Sequence, residues 1–215
     1  MNKYETFLLS LSILMPLIAG VIRFRKLPVS YYPLIYLLFI GTVNEFVSYI
    51  FFYNSSNAVP VNIYFLLEFL LFSWQFRSWK NILTKNKWYH ALLIIMVLLW
   101  IFENVVLGRI IVFSPIFQVS YSLVLVLLAV NQLNWLVVNE QGNIIADARF
   151  IICIAVIIYF SYKVLTEIFY HYAPSNLMKN NIFDVQSYCN VGYNVLLTIA
   201  ILCIPTKSNF IRLSR

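Results

Sequence analysis

The chain has 215 residues, of which 62% are hydrophobic and 11% charged, and its mean hydropathy is +0.83. Soluble domains carry about 25% charged residues and bury only about two-thirds of the surface their unfolded chains expose, so a water-soluble fold of this size is excluded. The net charge of +7 comes from basic residues scattered through short breaks between apolar runs, which fits the positive-inside bias of membrane proteins and argues against a nucleic-acid partner.

A hydrocarbon core about 30 Å thick calls for about 20 apolar residues per helix. By that measure the sequence predicts an all-α integral membrane protein, a single bundle of seven transmembrane helices at 4–22, 31–53, 59–76, 88–107, 113–138, 149–172 and 183–204, without a soluble domain. The first segment reads as a retained helix rather than a secretory signal: Arg23, Arg25 and Lys26 follow it directly, and no small-residue cleavage site is present. The breaks carry turn residues, among them Leu27-Pro28, Asn54-Ser55-Ser56-Asn57, Gly108-Arg109, Gln141-Gly142-Asn143 and Pro174-Ser175-Asn176.

Alternate breaks divide the basic residues unequally. Arg23, Arg25, Lys26, Arg77, Lys80, Lys85, Lys87, Arg149, Lys207, Arg212 and Arg215 make eleven on one side, against Lys3, Arg109 and Lys179, three, on the other. The asymmetry predicts an N-terminus outside, a C-terminus in the cytoplasm and a plasma-membrane location, the inner membrane in a Gram-negative cell. Tyr31, Tyr32, Tyr53, Trp79, Trp88, Tyr89, Trp135, Tyr170 and Tyr172 fall near predicted helix ends, where an interfacial aromatic belt is expected.

Charged side chains inside such segments cost about 2.5–3.5 kcal/mol each at mid-membrane, so they are expected to face a bundle interior or a wet cavity. Glu45 lies in the second segment, Glu68 in the third, and Lys163 and Glu167 in the sixth. Residues four apart share a helix face, which groups Glu45 with Tyr49, Tyr64 with Glu68, Tyr159 with Lys163, and Lys163 with Glu167; in the last segment Gln186, Asn190 and Asn194 form one stripe. Glu103 and Asn104 end the fourth segment, and Gln118 and Tyr121 begin the fifth. With the predicted orientation, nearly all of these fall in the middle or outer half of the bilayer.

The simplest arrangement turns the stripes inward around an outward-opening cavity. Its candidate ligand-binding or proton-carrying residues are Glu45, Glu68, Lys163, Glu167, Asn190, Asn194, Tyr49, Tyr64, Tyr159 and Gln118. Three carboxylates against one lysine imply that a carboxyl is protonated or that a cation binds, with the tyrosines offering cation–π surface. Lys163 and Glu167 are expected to satisfy each other as a structural pair, leaving Glu68 as the residue whose change to Gln spares folding and removes function. Asn131, Gln132 and Asn134 read as interhelical hydrogen-bonding residues.

Other chemistries lack their residues. His90 and His171 belong to opposite membrane faces, so no zinc site is expected, and Cys153, Cys189 and Cys203 read as small packing residues. A retinal-type lysine is missing from the last segment, and no phosphate-binding glycine loop or nucleophile motif occurs; no cofactor is expected. The reading favoured is a non-enzymatic sensor or receptor-like module binding a small, protonatable ligand, in contact with lipid and acting through a membrane-protein partner or a homo-oligomer. The alternatives are a proton-coupled small-molecule or lipid transporter and an intramembrane lipid-modifying enzyme.

Overall fold

The computed structural model describes residues 3–54, 57–79, 87–140, 144–172 and 176–205. Among these the regular structure is helical throughout: α1 (Lys3–Ser10), α2 (Leu14–Arg23), α3 (Tyr32–Asn54), α4 (Ala58–Ser78), α5 (Lys87–Ile101), α6 (Pro115–Asn139), α7 (Ala148–Tyr172) and α8 (Asn176–Cys203). Together α1 and α2 make the first apolar span, Tyr4–Lys26, and seven helices in all are long and apolar enough to cross a membrane. The architecture is compatible with a multi-pass membrane protein. Helix ends fall within a few residues of expectation except in α5, whose α-helix stops at Ile101 and passes into a π-helical turn over Phe102–Val106, and in α8, which begins at Asn176, seven residues before the apolar stretch that defined it.

The first span is interrupted by a 3-10 turn at Leu11–Ile13. Pro16 explains it: without an N–H it cannot donate to the carbonyl of Ser12, and the helix tightens locally. Ser12 is recruited instead by α8, whose Asn194 amide donates to the Ser12 hydroxyl at 2.8 Å.

Packing arranges six spans in a ring. The first span lies against α3 and α8, α3 against α4, α4 against α6, α6 against α7, and α7 against α8, which closes on the first span. The α5 helix stands outside this ring, against α4 and α6. Phe69, Phe72 and Phe76 of α4 fill the centre with Phe160 and Ile152 of α7 and Leu197 of α8, all buried. At Gly20 a β-carbon would come within 2.6 Å of the Ile35 Cδ1, so this position keeps α2 close to α3.

Helix ends are satisfied from neighbouring helices. Arg23 of α2 donates to the carbonyls of Ile201 (2.6 Å), Leu202 and Ile204 (2.8 Å), a cation placed on the C-terminal carbonyls of α8. Gln75 of α4 accepts from the Leu34 N–H at 2.9 Å and donates to the Ser30 carbonyl, closing the start of α3.

Several sequence expectations change here. Tyr31, Trp79 and Tyr89, expected in an interfacial belt, are buried; Tyr31 and Trp79 meet edge to face, and the Tyr89 hydroxyl donates to the Ser73 carbonyl. The side chains of Tyr53, Trp88 and Tyr172 lie outside the described residues, as does that of His171. Gln132, read as an interhelical hydrogen-bonding residue, is fully buried, and neither end of its amide meets a partner among the described residues. Of the cysteines only Cys153 is buried; Cys189 is half-buried and Cys203 exposed, and all three are free thiols.

Candidate functional site

Five spans carry a polar or charged side chain to the inside of the ring, and a cavity of about 340 Å³ lies between them. Its lining runs from Asn57, Phe113, Tyr170 and Ile182, at the end of the bundle that holds the α3–α4, α5–α6 and α7–α8 connections, down to Leu37 and Leu197. Among the described residues α5 contributes nothing to it, consistent with the place of that helix outside the ring.

At mid-depth sits a charged centre. Glu68 of α4 is 4% exposed and Lys163 of α7 is 7% exposed, so neither charge is solvated from outside the protein. The Lys163 ammonium lies 3.4 Å from the Glu68 Oε2 and donates also to the Tyr121 hydroxyl. Tyr121 in turn donates to the same Glu68 Oε2 at 2.7 Å, and Tyr64, one turn before Glu68, donates to the Oε1 at 3.1 Å. Both carboxylate oxygens are thereby engaged, as a buried charge requires.

The ammonium is also ringed by aromatic faces. It stands 4.3 Å from the ring centre of Phe65, 5.1 Å from Tyr121, 5.5 Å from Phe160 and 5.8 Å from Tyr159. This is the geometry of a cation–π cage. The cage expected for a ligand cation is filled by the protein's own lysine.

That pairing corrects the expected one. Lys163 reaches across the bundle to Glu68 instead of along its own helix to Glu167, although Glu167 lines the same cavity. Within one helix an i,i+4 pair has to bend two flexible side chains together. Across the bundle Tyr121 already fixes the Glu68 oxygen, and the aromatic cage receives the ammonium. Glu68 is therefore a half of a buried ion pair, and its change to Gln cannot be silent for folding.

Of the other candidate residues, Glu45, Tyr64, Gln118, Tyr159, Glu167, Asn190 and Asn194 all line the cavity. Glu45 is half-buried beside Ser10 of α1, and among the described residues no ion pair includes it. Tyr49 does not line the cavity: the Phe7 ring stacks on it with centroids 4.1 Å apart, at the junction of α1 and α3. The sequence reading missed Tyr121 as a member of the centre, and it missed Phe65 and Phe160. Tyr121 was legible as a polar residue three positions after Gln118, but nothing local showed that α6 lies beside α4 at that depth.

A second buried cluster lies nearer the same end of the bundle. A single π-helical turn, Phe102–Val106, widens the end of α5 and turns Glu103 and Asn104 inward, both buried. Gly108 follows with a φ of 64°, the left-handed conformation that closes such a terminus. The Glu103 carboxylate accepts the backbone N–H groups of Ile116 (3.1 Å) and Phe117 (2.6 Å), capping α6 where Pro115 opens it. Asn62 of α4 donates to the carbonyls of Ile110 and Val112 and accepts from the Ser114 N–H, while Ser114 donates its hydroxyl to Asn104. These groups are consumed in holding the α5–α6 connection.

Fold and site together define an all-helical bundle, with seven helices of membrane-spanning length and apolarity, enclosing a cavity over a buried ion pair. Compared with family models, with characterised proteins and with solved structures, the chain matches none. No group of three or more His, Cys, Asp or Glu side chains among the described residues is disposed to hold a metal ion.

Proposed function

We propose that this chain is a multi-pass plasma-membrane protein that binds a small protonated solute from the outer face, as a sensor or receptor-like module. The observation that carries the reading is Glu45, which lines the cavity beside the Glu68–Lys163 pair and is in no ion pair among the described residues. Lys163 is committed to Glu68, so a further positive charge entering the cavity completes a partly matched set. A volume of about 340 Å³ stands at the small end of the roughly 300–1,000 Å³ range of ligand pockets, which suits a solute of few atoms.

The eleven-to-three basic asymmetry supports an orientation with the end bearing Asn57, Phe113 and Tyr170 outside. In this reading a bound state is passed on through a partner membrane protein or a second copy. Proton-coupled transport is the second reading. The hydrogen-bonded series Tyr64–Glu68–Tyr121–Lys163 favours it, because every member can exchange a proton.

The test is a thermal-shift screen of the purified full-length protein with small primary amines and neutral molecules of the same size. Amines should raise the melting temperature of the wild type and not of Glu45→Gln. Equal shifts from neutral molecules would contradict a protonated ligand. The same amines added to proteoliposomes holding a pH-sensitive dye then separate the two readings: flux marks a transporter, and binding without flux a sensor.

A further inference from the structure

We infer that the seam between α1 and α3 is a lateral portal: α1 pivots at the Leu11–Ile13 turn and opens the cavity sideways to the surrounding lipid. Solutes dissolved in the bilayer then reach Glu45 without passing the mouth of the cavity. Such a path serves any solute the cavity takes.

The first span is built in two unlike halves. Among the described residues, no side chain of α1 from Tyr4 to Ser10 is buried, whereas Pro16 and Gly20 of α2 are. Arg23 ties the far end of α2 to three carbonyls of α8, and Gly20 seats that helix on Ile35 of α3. Between the halves the chain tightens into the 3-10 turn, where Pro16 withholds a donor from the Ser12 carbonyl. The turn itself is fixed from both sides: Asn194 of α8 donates to Ser12, and Ile13 packs on Gly41 of α3. A held turn with one firm arm and one loose arm is a hinge for the loose arm.

The place that α1 covers is a joint in the ring. Between α3 and α8 the ring is closed by the first span, and α1 lies more lightly on α3 than on α8. Along that lighter seam Phe7 stacks on Tyr49 at 4.1 Å and meets Phe46 edge to face at 6.0 Å, and the Ser10 hydroxyl hydrogen-bonds Glu45. Phe46 is exposed on the outside of the bundle, whereas Glu45 lines the cavity. Neighbouring side chains of α3 thus touch the outside and the cavity, and α1 divides the two. Among the described residues of the first span only Ile13 lines the cavity, so α1 closes this wall from outside and can leave it without emptying the core.

Both fastenings are light. When lipid replaces the Phe7 ring at the seam, one apolar neighbour is exchanged for another, since acyl chains are as apolar as the ring. The Ser10–Glu45 bond is the specific fastening, and it is made by a residue of the cavity wall. An open seam turns that carboxylate toward lipid, which is costly and keeps the portal shut at rest.

Distances between spin labels on the full-length protein in lipid nanodiscs test the portal, in a background with Cys153, Cys189 and Cys203 replaced. Leu8 of α1 and Leu127 of α6, both exposed, carry one pair of labels, and Ile18 of α2 with Leu127 the control pair. Phe7→Ala with Ser10→Ala should bring in a second Leu8–Leu127 distance, displaced by about 5 Å or half a helix diameter, and leave Ile18–Leu127 unchanged. Ser10→Ala alone should raise the population at the new distance about fivefold over the wild type, as the loss of one hydrogen bond does, and it provides the test should the double variant fold poorly. In proteoliposomes Ser48→Cys, on the cavity wall, should react several-fold faster with a lipid-soluble maleimide once Ser10 is alanine, and no faster with a charged thiosulfonate. A Leu8 distance identical in all three proteins overturns the hinge, as does an equal change at Ile18. Equal gains for both reagents, or a gain for neither, overturn the opening to lipid.

Discussion

Glu68 and Glu103 are both carboxylates buried within apolar helices, 4% and 0% exposed, yet their partners differ in kind. Glu103 is held by two backbone N–H groups at the start of α6, donors that cannot move or titrate. Glu68 is held by two tyrosine hydroxyls and an ammonium, each able to shift a proton, and it faces a cavity. In the sequence both stand out as carboxylates within apolar segments, Glu68 at mid-segment and Glu103 near a segment end. What separates a structural carboxylate from a functional candidate is the nature of its donors and whether open space adjoins it.

The strongest way to break this comparison is to remove the cation. Lys163→Met leaves Glu68 buried with hydroxyl donors alone and should cost about 3–5 kcal/mol of stability, read from thermal or denaturant unfolding. Glu68→Gln should also destabilise, since it strands the ammonium, and the double variant Glu68→Gln with Lys163→Met should be more stable than Lys163→Met by itself. Losses that simply add would mean the two side chains are not coupled. For the other carboxylate, Glu103→Ala should cost about 2–3 kcal/mol by uncapping α6. It should leave the amine affinity of the folded protein unchanged, and a selective loss of affinity would erase the distinction drawn between the two sites.

The smallest expected effect concerns the cavity wall. At Gly41 an added β-carbon would lie 2.7 Å from the Ile13 Cδ1 and 3.2 Å from the Tyr64 hydroxyl. Ile13 can swing away at its tip, whereas Tyr64 is tied to Glu68. Gly41→Ala should therefore cost about 1 kcal/mol or less while weakening amine binding measurably. An unchanged affinity would show that the Tyr64 position does not matter to the ligand.

The helices were legible because length and apolarity alone mark a span. α8 was read short because its first turns, with Lys179, Asn180, Asn181 and Asp184, are polar while remaining helical. That charged side chains line the cavity was legible because charge is costly in lipid, a rule that flags Glu45, Glu68 and Lys163 wherever the helices stand. Pairing was not legible. Spacing by four along α7 suggested Lys163 with Glu167, but the bond made depends on α4, α6 and α7 meeting at one depth. The same limit hid Glu103, whose capping role requires a π-turn that returns α5 to α6. Tyr31 and Trp79 were misplaced for a related reason, since position near a helix end does not reveal which face is turned inward.

The central claim is that the cavity bearing Glu45 and the Glu68–Lys163 pair opens to the outer face of the membrane. Single cysteines at Gln118 and Gln186, in a background with Cys153, Cys189 and Cys203 replaced, measure this directly with a small membrane-impermeant thiosulfonate applied to intact cells. Both positions line the cavity, and Leu127, which is exposed on the outside of the bundle, serves as the lipid-facing control. The account predicts that Gln118→Cys and Gln186→Cys are modified from outside, that n-butylammonium slows the reaction, and that Leu127→Cys stays unmodified. Modification only from the cytoplasmic side of inverted vesicles, or from neither side, would contradict it.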